Sequence, residues 1–452
     1  MTSTSSTSPE RQQLSLSSNN NSDYGSTSED FHKPVTLISF DNNDAGPTPS
    51  SPVFHVSPTP TIYNSFKLLL TSSYLNWLLI FLPLGFLANA LNWSDTWVFT
   101  LNFFAIVPLA KLLAFATEDV SLRIGQTLGG LLNATFGNAV ELIVSIVALK
   151  EGEIRVVQAS MLGSIISNLL LVLGMCFVAG GMYHDEQEFN QTAAQTSSSL
   201  MALACIGLII PAAFNFAVGN GTTVIDFKHE ILDLSHGTAI VLLIIYVLYL
   251  FFQLKTHAHL YDETETQEEQ PQLSLGVSLF FLAGVTVLVA LSAEYLVGSI
   301  EGIVEYSGLS KTFVGLILLP IVGNAAEHVT AITVAMKNKM DLAINVAAGS
   351  SMQIALFVTP FLVVLGWAIG VQMTLFFKTF ETVVLFISVL ITNYLIQDGK
   401  SNWLEGAMLL ATYAIIALAF YLYPDGYLIA KFYRKVTTHR VDASSVPRVF
   451  SE

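Results

Sequence analysis

The chain has 452 residues, of which 52% are hydrophobic and only 12% are charged. Soluble domains carry about 25% charged residues, so this composition argues against a water-soluble globular protein and predicts a polytopic membrane protein. The net charge of −15 excludes a nucleic-acid-binding protein, which needs a basic surface.

The two ends of the chain differ from its middle. Residues 1–65 are rich in Ser, Thr, Asn and Pro, and this composition predicts a disordered polar tail because it buries too little apolar surface to fold. Residues 426–452 form a short basic tail. Between the tails the sequence alternates between long apolar runs and short polar connections.

Eleven apolar segments reach about the 20 residues that a helix needs to cross a bilayer. Their approximate limits are 72–91, 95–116, 125–149, 156–182, 198–218, 236–255, 273–298, 312–336, 342–369, 373–396 and 403–423. A polar linker, residues 257–272, separates the sixth segment from the seventh. It contains five acidic residues, which are Asp262, Glu263, Glu265, Glu268 and Glu269. The sequence therefore predicts an all-α polytopic membrane protein of about eleven transmembrane helices.

A short string occurs twice inside the apolar segments. Residues 137–141 read GNAVE and residues 323–327 read GNAAE, 186 residues later, and the pair Gly163-Ser164 recurs as Gly349-Ser350 at the same spacing. Two matches at one spacing indicate an internal duplication. The predicted plan is a first transmembrane helix in 66–92, a five-helix repeat in 93–256, the linker, and a second five-helix repeat in 273–425. Because five helices carry the chain to the opposite side, the second repeat is inverted, as is typical of alternating-access transporters.

Each copy of the string places a glutamate, Glu141 or Glu327, where the bilayer interior is expected. A buried carboxylate is costly there unless it serves a pathway or a pair. Asn138 and Asn324 share a helix face with these glutamates. The preceding glycines, Gly137 and Gly323, allow the backbone to unwind and to expose carbonyl oxygens to a cavity.

The neighbouring helices add further oxygen atoms to the predicted site. These come from Ser164 and Asn168 on the fourth segment and from Ser350 and Gln353 on the ninth. Small polar residues also mediate helix packing, and for the serines the sequence leaves both roles open. The combined set is rich in hard oxygen ligands and lacks thiolates, which favours calcium over magnesium or softer metals.

Two buried carboxylates also suggest the chemistry of exchange. They can hold one divalent cation when both are ionised, or protons when the cation has left. His328 follows Glu327 and is expected either to relay protons or to orient the glutamate. Glu118 and Glu294 close two helices at equivalent places, and are either a pair at the cavity mouths or ordinary solvated helix ends. The acidic linker is either a regulatory element that attracts calcium or a solvated connector.

Four segments resemble the vacuolar calcium/proton exchangers of fungi and plants, within the cation/calcium exchanger superfamily. They are Gly137–Lys150, Gln158–Asn168, Val322–Met336 and Asn345–Val358, and the resemblance extends over about residues 65–425. It implies a secondary antiporter that moves cytosolic calcium into an acidic organelle in exchange for lumenal protons. It also implies that Glu141 and Glu327 form the central cation site.

The resemblance further implies a vacuolar membrane location, with the N-terminus and the linker in the cytosol and the C-terminus in the lumen. Counting basic residues in the loops leaves this orientation open. The expected partners are calcium, protons and the lipid bilayer, no cofactor is expected, and a homo-oligomer remains open.

Other functions fit the sequence less well. Manganese or another divalent cation is the nearest alternative substrate, since its oxygen preference overlaps that of calcium. Sodium-coupled relatives carry a further acidic residue on the helix that matches the ninth segment, where this chain has Ser350, Ser351 and Gln353. A calcium-leak channel would not need duplicated helix breaks. The sequence offers no arrangement typical of an enzyme, since Glu327-His328 does not belong to an HExxH motif.

Overall fold

The computed structural model describes residues 74–219, 228–258 and 271–423 of the chain. The predictions for the two terminal tails and for the acidic residues of the linker, 262–269, therefore concern segments outside the described residues. The described part is almost entirely helical, as the apolar segments predict.

The helices follow one another with short connections. A 3-10 turn, Tyr74–Ile80, leads into α1. The first half contains α1 (Phe81–Ala90), α2 (Asp95–Ile124), α3 (Gln126–Phe136), α4 (Ala139–Lys150), α5 (Ile154–Gly181), α6 (Gln191–Gly219) and α7 (Lys228–Thr256). The second half contains α8 (Leu275–Gly298), α9 (Ile300–Ser307), α10 (Lys311–Gly323), α11 (Ala325–Met336), α12 (Met340–Ile369), α13 (Thr379–Leu395) and α14 (Trp403–Leu422).

The helix lengths agree with the predicted membrane segments. Among the described residues, seven helices are long and apolar enough to cross a membrane, and the count rises to nine if two bent pairs are each one crossing. Two shorter apolar helices, Tyr74–Ala90 and Thr379–Leu395, occupy the first and tenth predicted segments. All eleven predicted segments are thus helical, while the number of complete crossings stays a prediction.

The two bent pairs are the helices that carry the repeated strings. The chain bends by 49° between α3 and α4 and by 56° between α10 and α11. The bends occur at Asn138 and Asn324, whose backbones leave the helical conformation with ψ near zero or positive. The carbonyl oxygen of each asparagine then accepts the first hydrogen bond of the next half-helix, from Leu142 and His328 respectively. Both helices are therefore broken at the glycine-asparagine pair, as the sequence predicts.

The helices that follow the broken helices in the chain, α5 and α12, are also distorted, and at equivalent positions. A π-helical turn spans Ser167–Val172 in α5 and another spans Ile354–Val358 in α12. These turns lie at the same position in the two repeats, given the spacing of 186 residues. Because π-helical turns occur frequently at functional sites, they support a common site between α5 and α12.

Contacts between the loops identify which helix ends lie on the same side of the molecule. Asp119, at the end of α2, accepts hydrogen bonds from the backbone N–H groups of Gln272 and Leu273, just before α8. A small antiparallel strand pair, β1 (Gln187–Glu188) and β2 (Lys400–Ser401), joins the loop after α5 to the loop before α14. We call the side at which α2 and α7 end and α8 begins the linker side, and the other the opposite side.

Candidate cation site

Glu141 and Glu327 occupy equivalent positions beyond the two helix breaks. Each is the third residue of its half-helix, α4 or α11, where the positive end of the helix dipole favours a negative charge. Glu141 is 5% exposed and Glu327 is partly buried. The two side chains are close enough to interact electrostatically, and both line one cavity of about 290 Å³.

The carboxylate of Glu141 lies against the break in the other repeat. A methyl group placed at Gly323 would be 3.0 Å from Oε1 of Glu141, so only a glycine leaves room for this carboxylate without adjustment. The same oxygen has no hydrogen-bond partner among the described residues, and neither has Oε2 of Glu327. Two buried acidic oxygens without donors are the arrangement expected of ligands that await a cation or a proton.

The two asparagines at the breaks differ in their environments. The side-chain amide of Asn138 donates to Oε1 of Gln353 over 2.7 Å, and the hydroxyl of Ser350 donates to Oδ1 of Asn138 over 2.7 Å. Asn168 donates in turn to Ser350 over 3.1 Å. This chain of hydrogen bonds ties the first break to α12 and α5. Asn138, Ser350, Gln353 and Asn168 are thus brought together as the sequence predicts, but they bond largely to one another.

Asn324, by contrast, has no such network. It is completely buried, and neither its amide nitrogen nor its amide oxygen has a partner among the described residues. The hydroxyl of Ser164 is likewise buried and unpartnered there. Among the residues predicted for the site, buried oxygen atoms without a partner in the described chain lie on Glu141, Glu327, Asn324, Ser164 and Asn168. The two breaks still differ chemically, because the amide of Asn138 is hydrogen-bonded and that of Asn324 is not.

The cavity reaches the linker side of the molecule. Glu118 is exposed and lines it, together with the exposed Thr330 and Asn345, while Gly137 and Gly323 lie at its inner end. Glu118 thus lies where a cavity-mouth residue was predicted, and its role stays a prediction. Glu294 is exposed but does not line this cavity, so its predicted role stays untested.

His328 is buried and its Nε2 atom has no partner within the described chain, but it does not line the cavity. Its position beside Glu327 leaves both predicted roles, relay and orienter, available.

Lys111 is the residue that sequence reasoning missed. It lies within α2, lines the cavity, and its ammonium group is 3.5 Å from the hydroxyl of Thr330, one helical turn beyond Glu327. The available signal was a basic residue inside an otherwise apolar segment, which is as costly as an acidic one.

Any bound cation would depend on few charged ligands. No cluster of three or more His, Cys, Asp or Glu side chains in the described part of the chain could hold a metal ion. The site instead offers two carboxylates and neutral oxygens, which suits a transported cation because such a set binds without the permanence of a structural metal centre.

Comparison with known proteins identifies the family of the chain. The family model described as "Sodium/calcium exchanger protein" matches residues 94–255 and 277–422. A vacuolar calcium ion transporter of Schizosaccharomyces pombe is 54% identical over 362 residues, covering 79% of this chain and 87% of that protein. A Ca(2+)/H(+) antiporter of Synechocystis is 48% identical over 77% of this chain and 96% of its own length.

A solved structure shares the fold. The structure of native YfkE aligns with a TM-score of 0.67 and 39% identity, and covers 77% of this chain and 100% of that protein. The family model matches more than half of the chain, including both broken helices. The chain therefore belongs to the sodium/calcium exchanger protein family.

Proposed function

We propose that this chain is a calcium/proton antiporter of the vacuolar membrane, which moves calcium from the cytosol into the lumen in exchange for protons. The observation that carries the proposal is that Glu141 and Glu327, at two inverted helix breaks, line one cavity and each keep one buried oxygen without a partner in the described chain. The similarity to vacuolar calcium transporters and to Ca(2+)/H(+) antiporters supports it. Members of this family are secondary transporters and not enzymes.

Calcium would be bound mainly by the two glutamates. The neutral oxygens that supplement them are best sought in Asn324, Ser164 and the Oδ1 atom of Asn168, because these atoms have no partner in the described chain. Asn138, Ser350, Gln353 and Asn168 would hold the first break against α5 and α12 and so position Glu141. Gly137 and Gly323 would contribute by leaving space and free backbone at the breaks.

Proton coupling follows from the closeness of the two carboxylates. In a site of low dielectric constant, two negative charges repel strongly unless a cation or protons compensate them. Calcium and protons therefore compete for the same pair, and release of one favours uptake of the other. His328 adjoins this pair and would assist the proton transfer or hold Glu327 in place.

The proposed orientation places the linker side in the cytosol. With the linker side in the cytosol, Glu118 would stand at the cytosolic entrance, and the acidic linker (Asp262, Glu263, Glu265, Glu268 and Glu269) would be cytosolic. The N-terminus would then be cytosolic and the C-terminus lumenal. The structure would correspond to the state that receives calcium from the cytosol, and Glu294 would serve the lumenal entrance in the other state.

Uptake into sealed vesicles tests the proposed exchange. Calcium should accumulate only when the vesicle interior is acidic, and accumulation should collapse when a protonophore is added. The variants Glu141→Gln and Glu327→Gln should each abolish it, whereas Glu188→Gln, on strand β1 and outside the cavity lining, should not. Uptake that persists after the pH gradient has collapsed would refute antiport and indicate a channel, and uptake driven by a sodium gradient would indicate sodium coupling.

A further inference from the structure

The opposite side of the molecule is closed by direct contact between α10 and α5. A methyl group at Gly163 would lie 2.1 Å from the carbonyl oxygen of Leu316, and one at Gly315 would lie 2.8 Å from Cβ of Ala159. The two backbones thus touch without intervening side chains. Because α10 leads directly into the break at Asn324, this contact seals the site from the opposite side.

A group of charged residues surrounds the entrance to this contact. Lys311, the first residue of α10, donates to Glu153 over 2.8 Å and to Glu301 over 2.9 Å. The side chains of Lys311 and Glu153 are only 18% and 20% exposed, so water screens their ion pair incompletely. Glu153 precedes α5, so the pair joins the two elements whose backbones are in contact.

A second basic residue, Arg155, contacts the same end of α10. Arg155 donates to the hydroxyl of Thr312 over 3.4 Å. Its guanidinium also forms an ion pair with Glu381 on α13, whose side chain is completely buried. Since α5 and α13 need not separate when α10 moves, the pair with Glu381 holds Arg155 in position, and the bond to Thr312 is the one that crosses to α10.

The linker side has glycines at the repeat-equivalent positions, but the charges of Lys311 and Glu153 do not recur there. Subtracting or adding the repeat spacing of 186 residues maps Gly163 onto Gly349, which has no neighbour within 4 Å among the described residues. The same spacing maps Lys311 onto Gly125 and Glu153 onto Lys339. The half-helix α3 leans instead toward α7, where a methyl group at Gly130 would meet Leu254 at 2.6 Å. We call the α10–α5 contact and the equivalent region on the linker side the two gates. Both have glycines at equivalent positions, but among the described residues only the gate on the opposite side has the Lys311–Glu153 pair at these positions.

We propose that Lys311 and Arg155 are positioning residues of the transport cycle, which latch α10 onto α5 and bias the empty transporter toward the state open on the linker side. This inference rests on the proposed alternating-access function. Opening of the opposite side requires α10 to leave α5, which breaks the Lys311–Glu153 pair and the Arg155–Thr312 bond. The positions equivalent to Lys311 and Glu153 on the linker side are Gly125 and Lys339, which cannot form this ion pair, so the latch favours one state over the other.

Site-directed labelling in open membrane fragments, where the probe reaches both sides of the membrane, tests the latch without measuring transport. Cys176 and Cys205 are first replaced by alanine, and a single reporter cysteine is introduced at Ser160, on the α5 face that meets α10, or at Asn345, in the open cavity. The probe is a membrane-impermeant maleimide. In the variant Lys311→Gln we expect labelling of the Ser160→Cys reporter to rise roughly two- to fivefold, the range of a partly exposed ion pair, and that of Asn345→Cys to fall.

Three further variants make the result specific. Lys311→Arg keeps the charge and should leave both labelling rates unchanged, and so should Lys400→Gln, which removes an exposed ion pair on the linker side. Combining Glu153→Gln with Lys311→Gln should add little to the larger single effect, because both remove the same contact.

Labelling that is unchanged in Lys311→Gln, or that rises at both reporters as expected of general loosening, would overturn the proposal. Because labelling reports accessibility alone, its outcome is independent of whether calcium/proton exchange is confirmed.

Discussion

Replacement of Gly323 by alanine is a direct test of how Glu141 is placed. The new methyl group would lie 3.0 Å from Oε1 of Glu141, which is closer than an ordinary carbon–oxygen contact, so the carboxylate must move by a few tenths of an ångström. Calcium–oxygen distances in proteins vary only between about 2.3 and 2.6 Å. A displacement of this size therefore disturbs coordination while it leaves the charge and the fold intact.

The expected magnitude follows from the cost of overpacking. Inserting a methyl group into a filled space costs about 1–3 kcal/mol. If calcium binds only when the carboxylate occupies its present position, the same free energy is lost from calcium binding, which lowers the affinity by about 5- to 150-fold. We expect the apparent KM for calcium to rise by about tenfold, toward the lower part of that range, because the carboxylate can partly adjust.

The assay is the initial rate of calcium uptake into vesicles at fixed pH gradient, over a range of calcium concentrations. Gly284→Ala on α8 is the matched control, because a methyl group there has no neighbour within 4 Å among the described residues. Protein amount and thermal stability should equal those of the parent in both variants. A KM for Gly323→Ala within about twofold of the parent value would refute the placement of Glu141 as a calcium ligand.

Three other substitutions test separate parts of the structure. Lys111→Gln should lower the KM for calcium on the order of threefold, because a positive charge leaves the wall of the cavity, whereas Lys111→Arg should not; uptake at low ionic strength decides this. Asn138→Ala should destabilise the protein by about 1–3 kcal/mol, because buried partners lose their hydrogen bonds, whereas Asn324→Ala should weaken calcium binding with little loss of stability. Thermal unfolding with and without calcium separates these two outcomes, and an equal loss of stability would contradict the assignment. Asp119→Asn should loosen the attachment of the segment before α8, seen as faster proteolysis near Gln272, and an unchanged cleavage pattern would contradict this.

The positions of the helices could be predicted from the sequence because the bilayer imposes a simple rule on length and polarity. The eleven apolar segments are helical in the structure, although some helix ends lie up to eight residues from the predicted limits. The broken helices were predictable as well, because glycine followed by asparagine inside an apolar run both weakens the helix and introduces a polar side chain. The repeated spacing then identified Glu141 and Glu327 as equivalent residues.

The contacts between distant helices could not be predicted in this way. The bond between Asn138 and Gln353 joins residues 215 positions apart, and the pair of Arg155 and Glu381 spans 226 positions. Periodicity indicates which face of a helix a residue occupies, but not which helix lies opposite. For this reason the sequence could name the oxygen-bearing residues of the predicted site, whereas only the structure shows which of their atoms hydrogen-bond to one another and which have no partner in the described chain.

The sequence by itself determined the class of protein, the broken helices and the two glutamates, because these depend on local polarity within a membrane of known thickness. The tertiary structure alone decided which side of the site is open. The glycine pairs at both gates are nearly the same in sequence, and only the packing of α10 on α5, with Lys311 against Glu153, distinguishes the closed gate from the open one. That choice is a small difference in free energy between two packings of the same repeat, which no local pattern of residues contains.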